Sequence, residues 1–122
     1  MALAITLIVA TFYTAADYPG DVYCRDATMT ELQAAGIRFV AVDVDWYTSG
    51  RVRCGDLLAI TFPGGQVLRA RALDAGPLGR YQVRGMGQIG MDVPQHLWPA
   101  EGRAAVVTMR NVTADLRRRI PQ

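Results

Sequence analysis

The stretch Asp56–Leu73 (DLLAITFPGGQVLRARAL) constrains the fold more than any other part of the chain. Asp56–Phe62 and Gln66–Leu73 each read as a strand, and Pro63-Gly64-Gly65 between them is a tight hairpin connection. In the second strand Leu68, Ala70 and Ala72 fall on one face, while Arg69 and Arg71 fall on the other. Period-two alternation of this kind is what a half-buried barrel strand shows.

Other segments add strands and few helices. Leu3–Tyr13 is rich in β-branched residues and reads as the first strand. Its apolar run is too short for a membrane span and has no basic residues before it, so no secretory signal or localisation is assigned. Thr14–Gly20 is a loop with a Pro19-Gly20 turn, and Asp21–Cys24 is a short strand. Thr28 and Glu31 have the spacing of a capping box, and Gly36 stands where a helix would stop, so Thr28–Ala35 is predicted as a short helix. Ile37–Val44 is a strand, Asp45–Gly50 a loop, and Ala104–Val112 the last strand. Asp74–Gly90 carries five glycines and reads as an exposed, mobile loop. Met91-Asp92 leads into a short helix at Pro94–Leu97, and 113–122 reads as a polar tail.

Composition limits the function classes. The chain has 122 residues, 51% of them apolar and 20% charged, which suits one globular domain spanning 1–122. A net charge of +2 implies no general attraction to nucleic acid or to an anionic membrane. All thirteen basic residues are arginine, a residue that makes the bidentate carboxylate and phosphate contacts lysine cannot make. A GC-rich coding sequence is the simpler explanation of that bias. One histidine and two cysteines cannot close a tetrahedral zinc site, so neither a metal nor a cofactor is expected. Cys24 and Cys54, thirty residues apart, are compatible with one disulfide or with two buried thiols.

Four short motifs, taken together, carry a resemblance. Gly55–Pro77, with its strand, glycine turn, second strand and Asp74-Ala75-Gly76-Pro77, resembles the core of the RlpA-like double-psi β-barrels. Met91-Asp92-Val93-Pro94 resembles that family's later Ile-Asp-Leu-Ser element, and Ala10–Thr14 its opening strand. Phe39–Asp43 resembles a strand of the related 3D domains. The group includes septal lytic transglycosylases, expansins and family 45 endoglucanases, which bind or cleave polysaccharides. The resemblance implies a mostly β, six-stranded double-psi barrel with one or two short helices. It further implies a groove holding Asp74 and Asp92, with Thr11 or Tyr13 nearby.

Two carboxylates suit that chemistry, since glycoside cleavage needs an acid for the leaving oxygen and hydrolysis a base or nucleophile opposite. A lytic transglycosylase uses the sugar's own hydroxyl, so one carboxylate serves as acid and then base. Asp74 is the expected acid and Asp92 its assistant, with Thr11, Tyr13 and Trp46 as candidate substrate contacts. Each has a structural alternative. Asp74 can cap its own turn, and Asp92 can sit before a helix N-terminus. Trp46, Trp98 and the tyrosines can plug the barrel ends or form a protein contact instead of a sugar platform. His96 reads as a surface residue and Arg117–Arg119 as part of the solvated tail. Ala75 stands where the family has arginine, Leu73 where it has asparagine, and no histidine lies between Phe39 and Gly50. The motifs therefore speak to the barrel more directly than to catalysis.

Two functions follow as expectations. One is a peptidoglycan-directed domain of the lytic transglycosylase kind, most simply phage-encoded and virion-associated. The other is a non-enzymatic barrel that docks neighbouring protein subunits in a phage virion or another assembly.

Overall fold

A computed structural model describes residues 6–120. Seven strands are formed: β1 (Thr6–Tyr13), β2 (Phe39–Asp43), β3 (Leu57–Thr61), β4 (Val67–Gly76), β5 (Gln82–Val83), β6 (Gly87–Pro94) and β7 (Ala104–Asn111). Their order is β1-β7-β3-β4-β2-β6-β5, and β6 also pairs with β1. Six strands thus close into a ring, with the two-residue β5 attached outside it as a hairpin partner of β6. Closure leaves those six without a free edge. Within the ring β1–β6 and β2–β4 run parallel, and the other neighbours run antiparallel.

The hairpin expected from sequence forms as β3 and β4. Leu68, Ala70 and Ala72 point into the barrel interior with Ile8, Ala10, Val40, Val42, Leu58, Ile60, Met91, Val93 and Val107. Val67, Arg69 and Arg71 are exposed. A second, smaller core gathers Tyr13, Val22, Met29, Leu32, Phe39, Ala41 and Leu73 beneath the short helix α1 (Met29–Ala34). The α1 capping box is complete: the Glu31 amide donates to Thr28 Oγ1 at 3.2 Å, and the Thr28 amide donates to Glu31 Oε1 at 3.1 Å. Gly36 follows it with φ 75°, the left-handed conformation that favours glycine at this position.

Two one-residue irregularities set the direction of the groove side chains. Along β2–β4 the register runs Val40↔Ala72 and then Ala41↔Asp74, so Leu73 is the extra residue. Along β1–β6 it runs Val9↔Ile89 and then Ala10↔Met91, so Gly90 is the extra residue. An inserted residue reverses the in–out alternation beyond it. Without it Asp74 would follow Ala72 into the barrel interior. With it, Asp74 turns to the Ala41 side of the sheet, the side on which Leu73 fills the second core.

Several sequence expectations are corrected. Asp45–Gly50 is not a loop, because α2 (Val44–Thr48) follows β2 directly. Asp21–Cys24 contributes only a single bridge, Asp21 to Thr28. Much of Asp74–Gly90 is ordered: β4 runs on to Gly76, a 3-10 turn covers Leu78–Arg80, and β5 and the start of β6 complete it. Asp92 lies within β6 instead of preceding a helix, and Pro94 ends that strand before a 3-10 turn at Gln95–Leu97. The described part of 113–122 is no free tail, since Val112–Arg119 forms α3, with the Asn111 side chain accepting from the Ala114 amide at 2.9 Å. The beginning of the expected first strand, Leu3–Ile5, lies outside the described residues, as do residues 121–122.

Cys24 and Cys54 are joined in a disulfide, resolving the alternatives the spacing left open. Closing a loop of thirty residues restricts the unfolded chain enough to contribute about 3–4 kcal/mol. The bridge ties the loop after β1 to the turn before β3, immediately beside Tyr23. No helix among the described residues is long and apolar enough to cross a membrane.

Candidate functional site

One row of residues crosses four adjacent strands. Asp74 on β4 pairs in register with Ala41 on β2, Ala41 pairs with Asp92 on β6, and Asp92 pairs with Thr11 on β1. The two aspartates are therefore two strand spacings apart at the backbone, roughly 9–10 Å. The small side chain of Ala41 lies between them and forms part of the floor. Above the row is a groove of about 750 Å³, lined by Tyr13, Asp17, Tyr18, Pro19, Ala41, Asp74, Pro77, Leu78, Tyr81, Ile89 and Asp92 among others. That volume lies within the range of small-ligand pockets.

The aspartates occupy unlike surroundings. Asp74 is held by three donors: the Tyr13 hydroxyl at 2.8 Å on Oδ2, with the Ala75 amide at 2.9 Å and the Tyr23 amide at 3.1 Å on Oδ1. The Tyr47 hydroxyl donates to its backbone carbonyl at 2.9 Å. Asp92 is only 9% exposed, and one side-chain partner reaches it, the Thr11 hydroxyl donating to Oδ1 at 2.6 Å. Burial pushes the Asp92 carboxyl above the usual carboxylate range; the Thr11 bond opposes this and the nearby Asp74 charge adds to it. Tyr13 is pushed well above the ordinary tyrosine range, first by burial and then by Asp74, so its hydroxyl remains a donor at physiological pH.

Thr11, Tyr13, Asp74 and Asp92 are thus brought together, as four of the five candidate residues. Trp46 is not. It is 9% exposed in the barrel core, against Gly90, where a Cβ atom would lie 3.1 Å from its ring, and Arg51 stacks over it at 4.0 Å from the ring centroid. Trp98 plugs the barrel against Phe12 and Phe62, and His96 is exposed and does not line the groove.

The tyrosines that the sequence offered as a sugar platform divide into two groups. Tyr18 and Tyr81, 56% and 60% exposed, stand on the groove lining, and Tyr18 meets the edge of Tyr13 at 5.5 Å between centroids. Tyr23 and Tyr47 stack at 4.9 Å and brace Asp74 from the side, one through its amide and the other through its hydroxyl. A cluster of tyrosines in loops beside an acidic turn was the available signal, but nothing in the spacing says which of them converge. Among the described residues no group of three histidine, cysteine, aspartate or glutamate side chains is arranged to hold a metal.

Comparison with known proteins places this architecture. No protein-family model matches the sequence, and no curated protein matches it either. Among solved structures, the apo expansin of Clavibacter michiganensis matches with a TM-score of 0.55 at 21% identity, over 89% of this chain and 50% of that one. The chain spans half the length of that expansin. The molecule therefore has the double-psi β-barrel fold, as expected from the Gly55–Pro77 motif, and it carries a groove with two aspartates.

Proposed function

We propose that the groove binds a cell-wall polysaccharide and that Asp92 and Asp74 act on a glycosidic bond held between them. The observation carrying this reading is the pair itself: one carboxyl desolvated with a single hydroxyl partner, the other wrapped by three donors, both on one groove. Environments that separate two carboxyl groups in this way suit an acid and a charge-stabilising partner. The expansin likeness adds a barrel of the same architecture.

In this reading the roles expected from sequence are exchanged. Asp92 keeps its proton to higher pH than an ordinary carboxyl and delivers it to the glycosidic oxygen as the carbon–oxygen bond breaks. Asp74 stabilises the positive charge that develops on the ring. For lytic transglycosylation a hydroxyl of the same sugar then closes onto the ring carbon, and its proton returns to Asp92. Tyr18 and Tyr81 offer exposed ring faces to the sugars, which stack well on aromatic surfaces.

The test is co-sedimentation with insoluble peptidoglycan and with cellulose, followed by analysis of soluble products. Retention on peptidoglycan with release of anhydromuropeptides is expected, with Asp92→Asn retaining binding but losing at least about 100-fold in product formation. Retention without product reduces the reading to binding. No retention on either polymer contradicts it and favours the subunit-docking alternative.

A further inference from the structure

A second cavity lies at the other end of β1. Tyr13, the last residue of that strand, lines the carboxylate groove, and Thr6, the first, lines the second cavity. Seven residue steps along a strand separate them by roughly 23 Å. This cavity, about 550 Å³, is lined by Arg51, Arg53, Arg117 and Arg118 and by no acidic side chain.

Two of these four charges are already matched. Arg117 donates to both oxygens of Asp56 at 2.9 and 3.1 Å, and Arg118 pairs with Asp115. Asp56 is buried and also accepts from the Asn111 amide at 2.9 Å and the Arg53 backbone amide at 3.0 Å. These contacts fix the Arg117 guanidinium in place. Arg51 and Arg53 have no carboxylate partner among the described residues. The Arg51 guanidinium carbon instead lies 4.0 Å from the centroid of the Trp46 ring, a contact that holds the side chain without neutralising its charge.

We infer that this arginine-lined cavity is a binding site for a doubly charged phosphate group, either free or carried on a sugar as a monoester. Two unmatched guanidiniums balance two negative charges, and planar forks suit the several oxygens of a phosphate better than a single carboxylate does. The Asp56- and Asp115-tethered arginines complete the wall. The inference does not depend on the glycan reading of the carboxylate groove.

Isothermal titration calorimetry at pH 8 and constant chloride tests it, with inorganic phosphate, glucose 6-phosphate and glucuronate as probes. Phosphate is expected to saturate one site per chain. The double variant Arg51→Gln/Arg53→Gln is expected to weaken it by at least ~10-fold, and Arg69→Gln, on the outer face of β4, to leave it unchanged. Equal or tighter binding of glucose 6-phosphate identifies the ester as the ligand form; phosphate alone identifies the free ion. Arg51→Lys, which keeps the charge but loses the fork, should fall between wild type and the double variant if the chain stays folded by circular dichroism. Asp92→Asn should bind phosphate as wild type does, which keeps this test separate from that of the groove. No saturable binding, equal binding by the folded double variant, or glucuronate binding as tight as phosphate would overturn the inference.

Discussion

Asp92 illustrates how strongly position decides the chemistry of one side chain. It and Asp74 are the same residue on strands that flank β2, yet Asp92 is the buried one and hydrogen-bond donors gather on Asp74. A carboxyl whose folded pKa lies above its unfolded value binds more protons in the native state across the interval between the two. Its contribution to stability is therefore most favourable below the unfolded value and falls as pH rises through the folded one. Asp92→Asn removes that titration. The variant should gain stability relative to wild type as pH rises from about 4 to 7. Denaturant melts at both pH values measure this, and a stability difference that stays constant, or moves the other way, would contradict the assigned environment. Asp56 shows the opposite balance: burial acts to raise its pKa, but the bonds from Arg117, Asn111 and the Arg53 amide outweigh it and hold the carboxyl low.

At the scale of elements, strands with plain alternation were legible and irregular ones were not. β4 announces itself through Leu68, Ala70 and Ala72 against Arg69 and Arg71, and α1 through Thr28 and Glu31. β6 is hidden because Gly87 and Gly90 interrupt its pattern and read as loop residues. α3 is hidden by its polar composition, although Asn111 at the cap, Asp115 in the first turn and three arginines in the last turn are helix signals. The motif around Asp74 and Asp92 could be found by resemblance. Their convergence could not be read from spacing, because it depends on the inserted residues Leu73 and Gly90. Gly90 is further constrained by close approach: a Cβ there would lie 2.9 Å from Ile8 Cγ2 and 3.1 Å from the Trp46 ring. Gly90→Ala should destabilise the fold by about 1–3 kcal/mol by overpacking. Chemical denaturation checks the cost, and a variant as stable as wild type would show that Trp46 moves freely.

Across the whole molecule, the closed ring separates two chemistries. The groove at the Tyr13 end of β1 holds aspartates and tyrosines, and the cavity at the Thr6 end holds arginines. A net charge of +2 hides this division, which is why composition implied no general charge attraction while the folded surface gathers four arginines around one cavity. Arginine in place of lysine, which coding bias could explain, acquires a structural use where Arg51 lies on Trp46 and Arg117 clamps Asp56. The Cys24–Cys54 bridge steadies the loop that brings the Tyr23 amide to Asp74. The barrel thus positions the groove residues from four strands, the bridged loop after β1 and the turn between β4 and β5.

The most direct measurement is an NMR titration of the labelled protein with a soluble peptidoglycan oligosaccharide, following backbone amide shifts. Saturable shifts centred on Thr11, Tyr13, Tyr18, Ala41, Asp74, Tyr81 and Asp92, sparing Arg51, Arg53 and α3, are the expected result. No saturable shift, or shifts confined to residues outside the groove, would contradict the assignment of the aspartate groove as the polysaccharide site.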